Sequence, residues 1–234
     1  CMSDESAPRI SFIIPALNEA ASVQRAVETA IAAGAWEVIV ADGGSDDKTA
    51  EIATEAGARV IESPPGRACQ QNAGAKAAGG DVLLFQHADN WCDPATGEQI
   101  RAALSNANVQ GGAFRQRIEA DGILFRWLEW GNAARVRWRN MAYGDQGIFL
   151  RKTFFDELAG FPEVPLMEDL LLMQQFRRHS RPVLLNGPHH VSARRWQRHG
   201  VIRQTLRNWR ILLAHKMGTP PEELAHRYRR HDQQ

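Results

Sequence analysis

At 234 residues and 26.1 kDa, the chain is long enough for one well-buried α/β domain with appendages and too short for two. Hydrophobic residues make up 44% and charged residues 24%, near the average for globular proteins, which excludes disordered, collagenous and coiled-coil readings. The net charge of +1 conceals a division, because residues 1–100 carry 15 acidic against 6 basic side chains and residues 101–234 carry 12 against 22.

The first hundred residues alternate between short β-branched runs and longer alanine-rich stretches. Residues 10–14, 37–40, 59–61 and 82–85 read as strands ending at Pro15, Ala41-Asp42, Pro64-Pro65 and His87. They are largely apolar, as parallel strands covered on both faces should be. Residues 19–33, 47–56 and 68–78 read as helices closed by Gly34, Gly57 and Gly79-Gly80, residues suited to the position after a helix end. This order predicts a doubly wound parallel sheet with right-handed crossovers, whose ligands bind outside the carboxyl ends of the strands. Polar residues collect there: Asn18-Glu19, then Asp42 through Asp47, then His87-Ala88-Asp89-Asn90. Loop and capping chemistry explains any one such cluster; three on successive strand ends point to a shared ligand site.

The second half is less regular. Residues 109–118 alternate like a strand, 123–139 form a helical stretch holding Trp127, Trp130 and Trp138, and 144–150 read as a glycine-punctuated strand. Residues 168–179 suggest a helix and 182–186 a last strand. From 200 to 216, Ile202, Leu206, Trp209 and Leu213 recur at helical spacing beside Arg203, Arg207 and Arg210, the pattern of a basic amphipathic helix.

Five segments also match a family pattern in order and spacing. They are Pro15-Ala16-Leu17-Asn18-Glu19, residues 40–49 (VADGGSDDKT), residues 66–74 (GRACQQNAG), His87-Ala88-Asp89, and Met167-Glu168-Asp169. Together they resemble the P-x-x-N-E, V-V-D-D-G-S-x-D-x-T, G-x-x-x-A-x-N-x-G, D-x-D and E-D motifs of the family 2 glycosyltransferases, inverting enzymes that use nucleotide-diphospho-sugars. The resemblance covers about residues 10–190. Gly43 replaces the second Asp of the usual pair, and His87 replaces the first carboxylate of D-x-D. The His-Ala-Asp variant, with Gly144-Asp145-Gln146-Gly147 and Ser192-Ala193-Arg194-Arg195-Trp196, is most similar to a bacterial subgroup whose acceptor the resemblance does not supply. A nicotinamide-binding domain would need G-x-G-x-x-G after the first strand, yet residues 15–20 hold no glycine, and no Walker A pattern occurs.

The resemblance implies an α/β domain of GT-A fold over residues 8–190, with a mostly parallel doubly wound sheet, and a basic helical extension over 191–234 packed on it. It implies a donor site built from Pro15, Asn18, Glu19, Asp42, Gly44, Arg67, Asn72, His87 and Asp89. Asp42 would meet uracil or ribose, and Asp89, with His87 as a possible second ligand, would hold Mn²⁺ or Mg²⁺; both ions take oxygen ligands, and Mn²⁺ also takes imidazole. Asp169 would be the base that deprotonates the acceptor hydroxyl, with Glu168 orienting it, although acids also favour the first turn of a helix. Asp145, Gln146, Arg194, Arg195 and Trp196 would lie on the acceptor or diphosphate side. UDP is the expected nucleotide. The rival reading is a non-catalytic module of the same fold that binds a nucleotide-sugar or another anionic ligand.

Between Leu170 and Pro221 ten Lys or Arg occur without one acid, so this stretch should prefer anionic partners. A lipid-linked acceptor, a membrane surface or a homodimer mate would each suit it. Nucleic acid is not expected, because only Trp196 and Trp209 interleave with these cations. The three indoles of 123–139 fit either a core stripe or an acceptor groove. With three unpaired-looking cysteines, no basic leader followed by an apolar stretch, and no apolar run near the roughly 18–20 residues of a span, a cytoplasmic protein is expected, with the inner membrane face as its candidate docking place.

Overall fold

The structure is a computed structural model, and it describes residues 7–225. Cys1 and the last nine residues of the expected extension lie outside the described residues. Strands β1 (Ile10–Ala16), β2 (Glu37–Asp42), β3 (Arg59–Glu62) and β4 (Val82–Phe85) alternate with helices α1 (Val23–Ala32), α2 (Thr49–Glu55) and α3 (Arg67–Ala77). They pair in parallel in the order β3-β2-β1-β4, as the alternation predicts. Ala16 sits level with Asp42, so the first two polar clusters emerge side by side.

The second half completes one eight-stranded mixed sheet. After β5 (Asn90–Cys92) and α4 (Thr96–Leu104) come β6 (Gly111–Ile118), α5 (Ile123–Arg139), β7 (Ile148–Arg151), α6 (Lys152–Glu157), α7 (Glu168–His179) and β8 (Val183–Val191). The order continues β4-β7-β6-β8-β5, with β6 and β8 parallel and the other three pairings antiparallel. The sheet is therefore parallel in its first half and mixed in its second. Helices α8 (Arg194–His199) and α9 (Val201–Lys216) follow it.

Three boundaries differ from expectation for identifiable reasons. Helix α1 starts four residues late because the amides of Glu19 and Ala20 donate to Thr49 Oγ1 (2.8 Å) and Asp47 Oδ2 (3.2 Å) across the loops. The expected strand 144–150 splits into a 3-10 turn (Gly144–Gln146) and β7, because Gly147 adopts φ +61°, a conformation that interrupts extended backbone. The last strand runs on to Val191 because β6 and β5 pair along it.

Two apolar layers sandwich the sheet. In β1, Ile13 belongs to one layer while Phe12 and Ile14 belong to the other, the period of two expected of a strand. Helix α7 enters the first layer through Leu172, Met173 and Phe176, all fully buried, and each such side chain contributes about 1.5–3 kcal/mol. That burial fixes the position of Glu168 and Asp169 at its first turn. Strand β6 approaches β8 closely, since a Cβ on Gly112 would lie 2.1 Å from the Val183 carbonyl oxygen.

His189 lies fully buried near Phe114, with its Nδ1 3.9 Å from the Cys92 sulfur. Burial pushes the Cys92 thiol up to about 12 and the imidazole down to about 3. The unfolded chain would bind this proton near the ordinary histidine value, about 6.5, while the native state refuses it until about 3, so stability is present above pH 6.5 and is lost as pH falls below it. The unfolding free energy from denaturant titrations should fall as pH drops from about 6.5 toward 3, the slope approaching about 1.4 kcal/mol per pH unit in the lower part of that window. Glu168, whose carboxyl burial holds above the usual range, contributes in the opposite sense, so the His189→Leu variant isolates the effect: it should lose the downward slope. A slope identical in that variant would show that the imidazole is not responsible.

Candidate active site at the carboxyl edge of the sheet

The loops after β1 and β2 are tied together before any ligand is considered. Asn18, at φ +56°, donates its amide to Ser45 Oγ (2.9 Å) and accepts the Asp46 amide at Oδ1 (2.9 Å). Asp42 Oδ2 accepts the amides of Gly44 and Ser45 (3.1 and 3.0 Å), and its Oδ1 accepts the Ser45 hydroxyl at 2.5 Å. Asp42 thus organises its own loop, and its remaining lone pairs are what it can offer a ligand. Gly44 is exposed at φ +88° with open space around it. Beneath the loops the buried Gln70 amide donates to the carbonyls of Ala16 (2.7 Å) and Ala41 (2.9 Å). A Cβ at position 43 would lie 2.9 Å from that amide nitrogen, which accounts for Gly43 where the family pattern has Asp. Pro15 is part of β1, paired with Ala41.

The loop after β4 carries His87 and Asp89, both partly exposed. Arg194, from the start of α8, reaches 3.4 Å from Asp89 Oδ2 and 3.5 Å from Glu19 Oε2. Its guanidinium is largely exposed, so each pair is worth about 0–1 kcal/mol and yields readily to a stronger partner. Glu19 also accepts the Ser22 hydroxyl at 2.8 Å. Among the described residues no three His, Cys, Asp or Glu side chains converge on one point. A lone carboxylate fits Mg²⁺ or Mn²⁺ arriving with a diphosphate that completes the oxygen shell; it does not fit a resident ion.

Asp169 stands at the opposite wall. Its Oδ2 accepts the Gly144 amide at 2.6 Å and its Oδ1 accepts the Leu170 amide at 2.7 Å. A Cβ on Gly144 would lie 2.9 Å from His87 Nε2 and 3.3 Å from Asp169 Oδ2. The missing side chain therefore lets the β4 loop and the start of α7 meet. Glu168 is buried and pairs with Arg67 at 3.2 Å. Burial raises its pKa against the opposing pull of Arg67. That bridge joins the amino end of α3 to the first turn of α7, and it makes Glu168 a positioning group.

Residues missed by sequence reasoning support this wall. The Arg135 guanidinium lies 3.5 Å over the Tyr143 ring and donates to Gln146 Oε1 (2.7 Å) and Asn132 Oδ1 (2.9 Å). Burial pulls the pKa of Arg135 down and pushes that of Tyr143 up, while Asp145 and Asp169 both act to hold Arg135 charged. Gln146, expected on the acceptor side, is fully buried and binds Arg135, the Tyr143 amide and the Phe114 carbonyl; it holds the turn. Asn72, expected to touch donor, instead exchanges two hydrogen bonds with the backbone of Phe161 (2.8 and 2.9 Å). Both carry amide side chains in glycine-containing segments, a residue type suited to satisfying buried backbone groups.

A groove of about 930 Å³ opens between α5 and α9, and its lining reaches Tyr143, Asp145 and Trp196. Trp196 also meets the Phe125 ring edge-on at 6.4 Å. The Arg195 side chain lies outside the described residues. Asp145 faces this groove, and its carbonyl accepts the Gln116 amide at 3.1 Å. Trp127, Trp130, Trp138 and Trp209 are 65, 61, 70 and 68% exposed, so the indoles of α5 are not a core stripe.

The model of the family described as Glycosyl transferase family 2 matches residues 11–157, more than half of the chain. An uncharacterized glycosyltransferase of Mycobacterium tuberculosis (strain H37Rv) is 30% identical over 132 residues, covering 56% of this chain and 58% of that one, and its Mycobacterium bovis counterpart matches equally. The chain thus spans little over half the length of the curated relatives it matches. Among solved structures, S. aureus TarS 1-349 in complex with UDP superposes with TM-score 0.62 at 17% identity, covering 79% of this chain and 60% of that chain. Glucosyl-3-phosphoglycerate synthase from Mycobacterium tuberculosis, in complex with Mg²⁺ and UDP, superposes with TM-score 0.56 at 20% identity, covering 80% and 70%. At these identities the likeness establishes the shared GT-A fold.

Proposed function

Because the chain belongs to glycosyl transferase family 2, we propose that it moves a sugar from a nucleotide-diphospho-sugar, with UDP as the nucleotide, to a hydroxyl acceptor with inversion. The observation that carries this reading is the gathering of the β1, β2 and β4 loops at one edge of the sheet, tied by Asn18, Ser45 and Arg194, with His87 and Asp169 both against Gly144. Asn18, Asp42 and Gly44 would border the nucleotide, and Arg67 and Arg194 would face the diphosphate. His87-Ala88-Asp89 serves as the counterpart of the family's D-x-D. Asp89, with His87 beside it, would hold a divalent cation, which neutralises charge on the departing diphosphate.

The acceptor oxygen attacks the anomeric carbon from the face opposite the diphosphate. As that bond forms, the carbon–oxygen bond to the diphosphate breaks, and the hydroxyl proton passes to the Asp169 carboxylate. The two backbone amides on Asp169 fix its rotamer and leave it lone pairs for this proton. A partly exposed carboxylate held against Gly144, between the groove-lining Tyr143 and Asp145, is placed for that task, whereas buried Glu168 is not.

Thermal melting with UDP, GDP, CDP and ADP, each with and without Mn²⁺ or Mg²⁺, tests the reading. The expected result is a metal-dependent stabilisation by UDP, amounting to about 2.7 kcal/mol at a hundredfold excess over Kd. Metal-dependent hydrolysis of the matching UDP-sugar should accompany it. Stabilisation by none of the nucleotides would remove the transferase reading.

A further inference from the structure

The amphipathic pattern of α9 and the way the helix packs disagree, and the disagreement is informative. Ile211, Leu212 and Ala214 pack against the core, while Ile202, Leu206, Trp209 and Leu213, the stripe chosen by helical periodicity, stay exposed. Across the groove, Trp127, Trp130 and Trp138 of α5 form an exposed chain of edge-on rings with centroids 6.3 and 6.1 Å apart. Two neighbouring elements thus present their apolar side chains to the same groove. Contiguous apolar surface of this kind marks an interaction site.

The charges decide what covers it. Arg139, Arg210 and Lys216 share the groove's lining, Arg203 is exposed on α9, and the stretch from Leu170 to Pro221 contains no acid. A second copy docked through the same patch would set these cations against their own equivalents, an unfavourable isologous contact. A stacking platform for nucleic acid needs aromatic rings, but Ile202, Leu206, Leu213 and Met217 add aliphatic bulk of no use to bases. Indoles, aliphatic side chains and flanking cations together match the interfacial zone of an anionic bilayer, where amphipathic rings lie at headgroup level and arginines meet lipid phosphates.

We propose that the α5–α9 face is a membrane-docking surface for anionic bilayers, seating the Trp127-Trp130-Trp138 ridge and the outer stripe of α9 in the interface. Among the described residues no helix is long and apolar enough to cross a membrane, so docking is peripheral. The inference does not depend on the transferase reading, because binding is measured without donor or acceptor. If it holds, the groove that reaches Asp145 opens toward lipid.

Cosedimentation of the full chain with phosphatidylglycerol-containing and pure phosphatidylcholine vesicles, at low and physiological salt, tests it. Binding should favour the anionic vesicles and weaken as salt rises, because screening shortens the reach of the arginines. The double variant Arg203→Gln/Arg210→Gln, which removes two charges worth about 1 kcal/mol each, should lose roughly thirtyfold at low salt. The triple variant Trp127→Ser/Trp130→Ser/Trp138→Ser should lose binding at both salt levels. In the unaltered protein, tryptophan emission should shift to the blue on anionic vesicles and be quenched by brominated lipid, a readout independent of how any variant folds. No binding to anionic vesicles at low salt, or no emission change, overturns the proposal. So does a dimer dissociated by the tryptophan substitutions, or oligonucleotide binding lost with them, since either would assign the face to another occupant.

Discussion

Replacing Asp169 by Asn should leave UDP binding within about twofold of wild type and slow sugar transfer by roughly 10²-fold or more, the scale expected when a positioned base is removed. The substitution conserves shape and removes basicity. Structurally it costs one charge-assisted hydrogen bond, because Asn has a single acceptor oxygen and must give up either the Gly144 or the Leu170 amide, a loss of about 1.5–3 kcal/mol. The protein should therefore stay folded, and melting temperature serves as the control. Transfer rates from single-turnover assays with the donor found by melting decide the matter. Wild-type transfer by the variant would reduce Asp169 to a helix-start acid that anchors the 144–146 turn and would place the base elsewhere.

Asp89→Ala should abolish the metal dependence of UDP binding. Since no three His, Cys, Asp or Glu side chains converge among the described residues, the variant keeps no assured protein anchor for the cation. The affinity loss in the presence of Mn²⁺ should reach at least the roughly 10²-fold that tops the range for removing a supporting partner of a metal site. Calorimetric titration with and without the metal measures it. Folding should be spared, since Asp89 makes only exposed contacts to Arg194. Undiminished, metal-dependent binding in the variant would remove Asp89 from the cation site and leave His87 or Glu19 as the group to test next.

These two residues stand differently toward the sequence. Asp169 was legible because an acidic pair heads an otherwise apolar helix, EDLLLMQQF, and local composition alone marks such a break. Glu168 and Asp169 could not be told apart that way; burial separates them, one sealed against Arg67 and the other open beside Gly144. Gln146 and Asn72 belong to familiar motifs, yet the fold spends their amides on Phe114, Arg135 and Phe161, partners 11 to 89 residues away that spacing rules do not see.

What the residues determined by themselves was the parallel half of the sheet, its crossover helices and the polar clusters at its edge. Apolar runs, glycine stops and loop acids act within a few residues, so their consequences can be read locally. Strand β5, helices α4 and α6, and the antiparallel pairings of the second half were settled only by the tertiary structure, as when β8 extends to Val191 because β5 and β6 flank it. Periodicity likewise found the apolar stripe of α9 and the indoles of α5 but assigned neither a covering partner. A repeat of apolar residues records which side chains share a face; which face the chain buries depends on what tertiary structure brings against it, and here the core took Ile211, Leu212 and Ala214 and left the stripe outside.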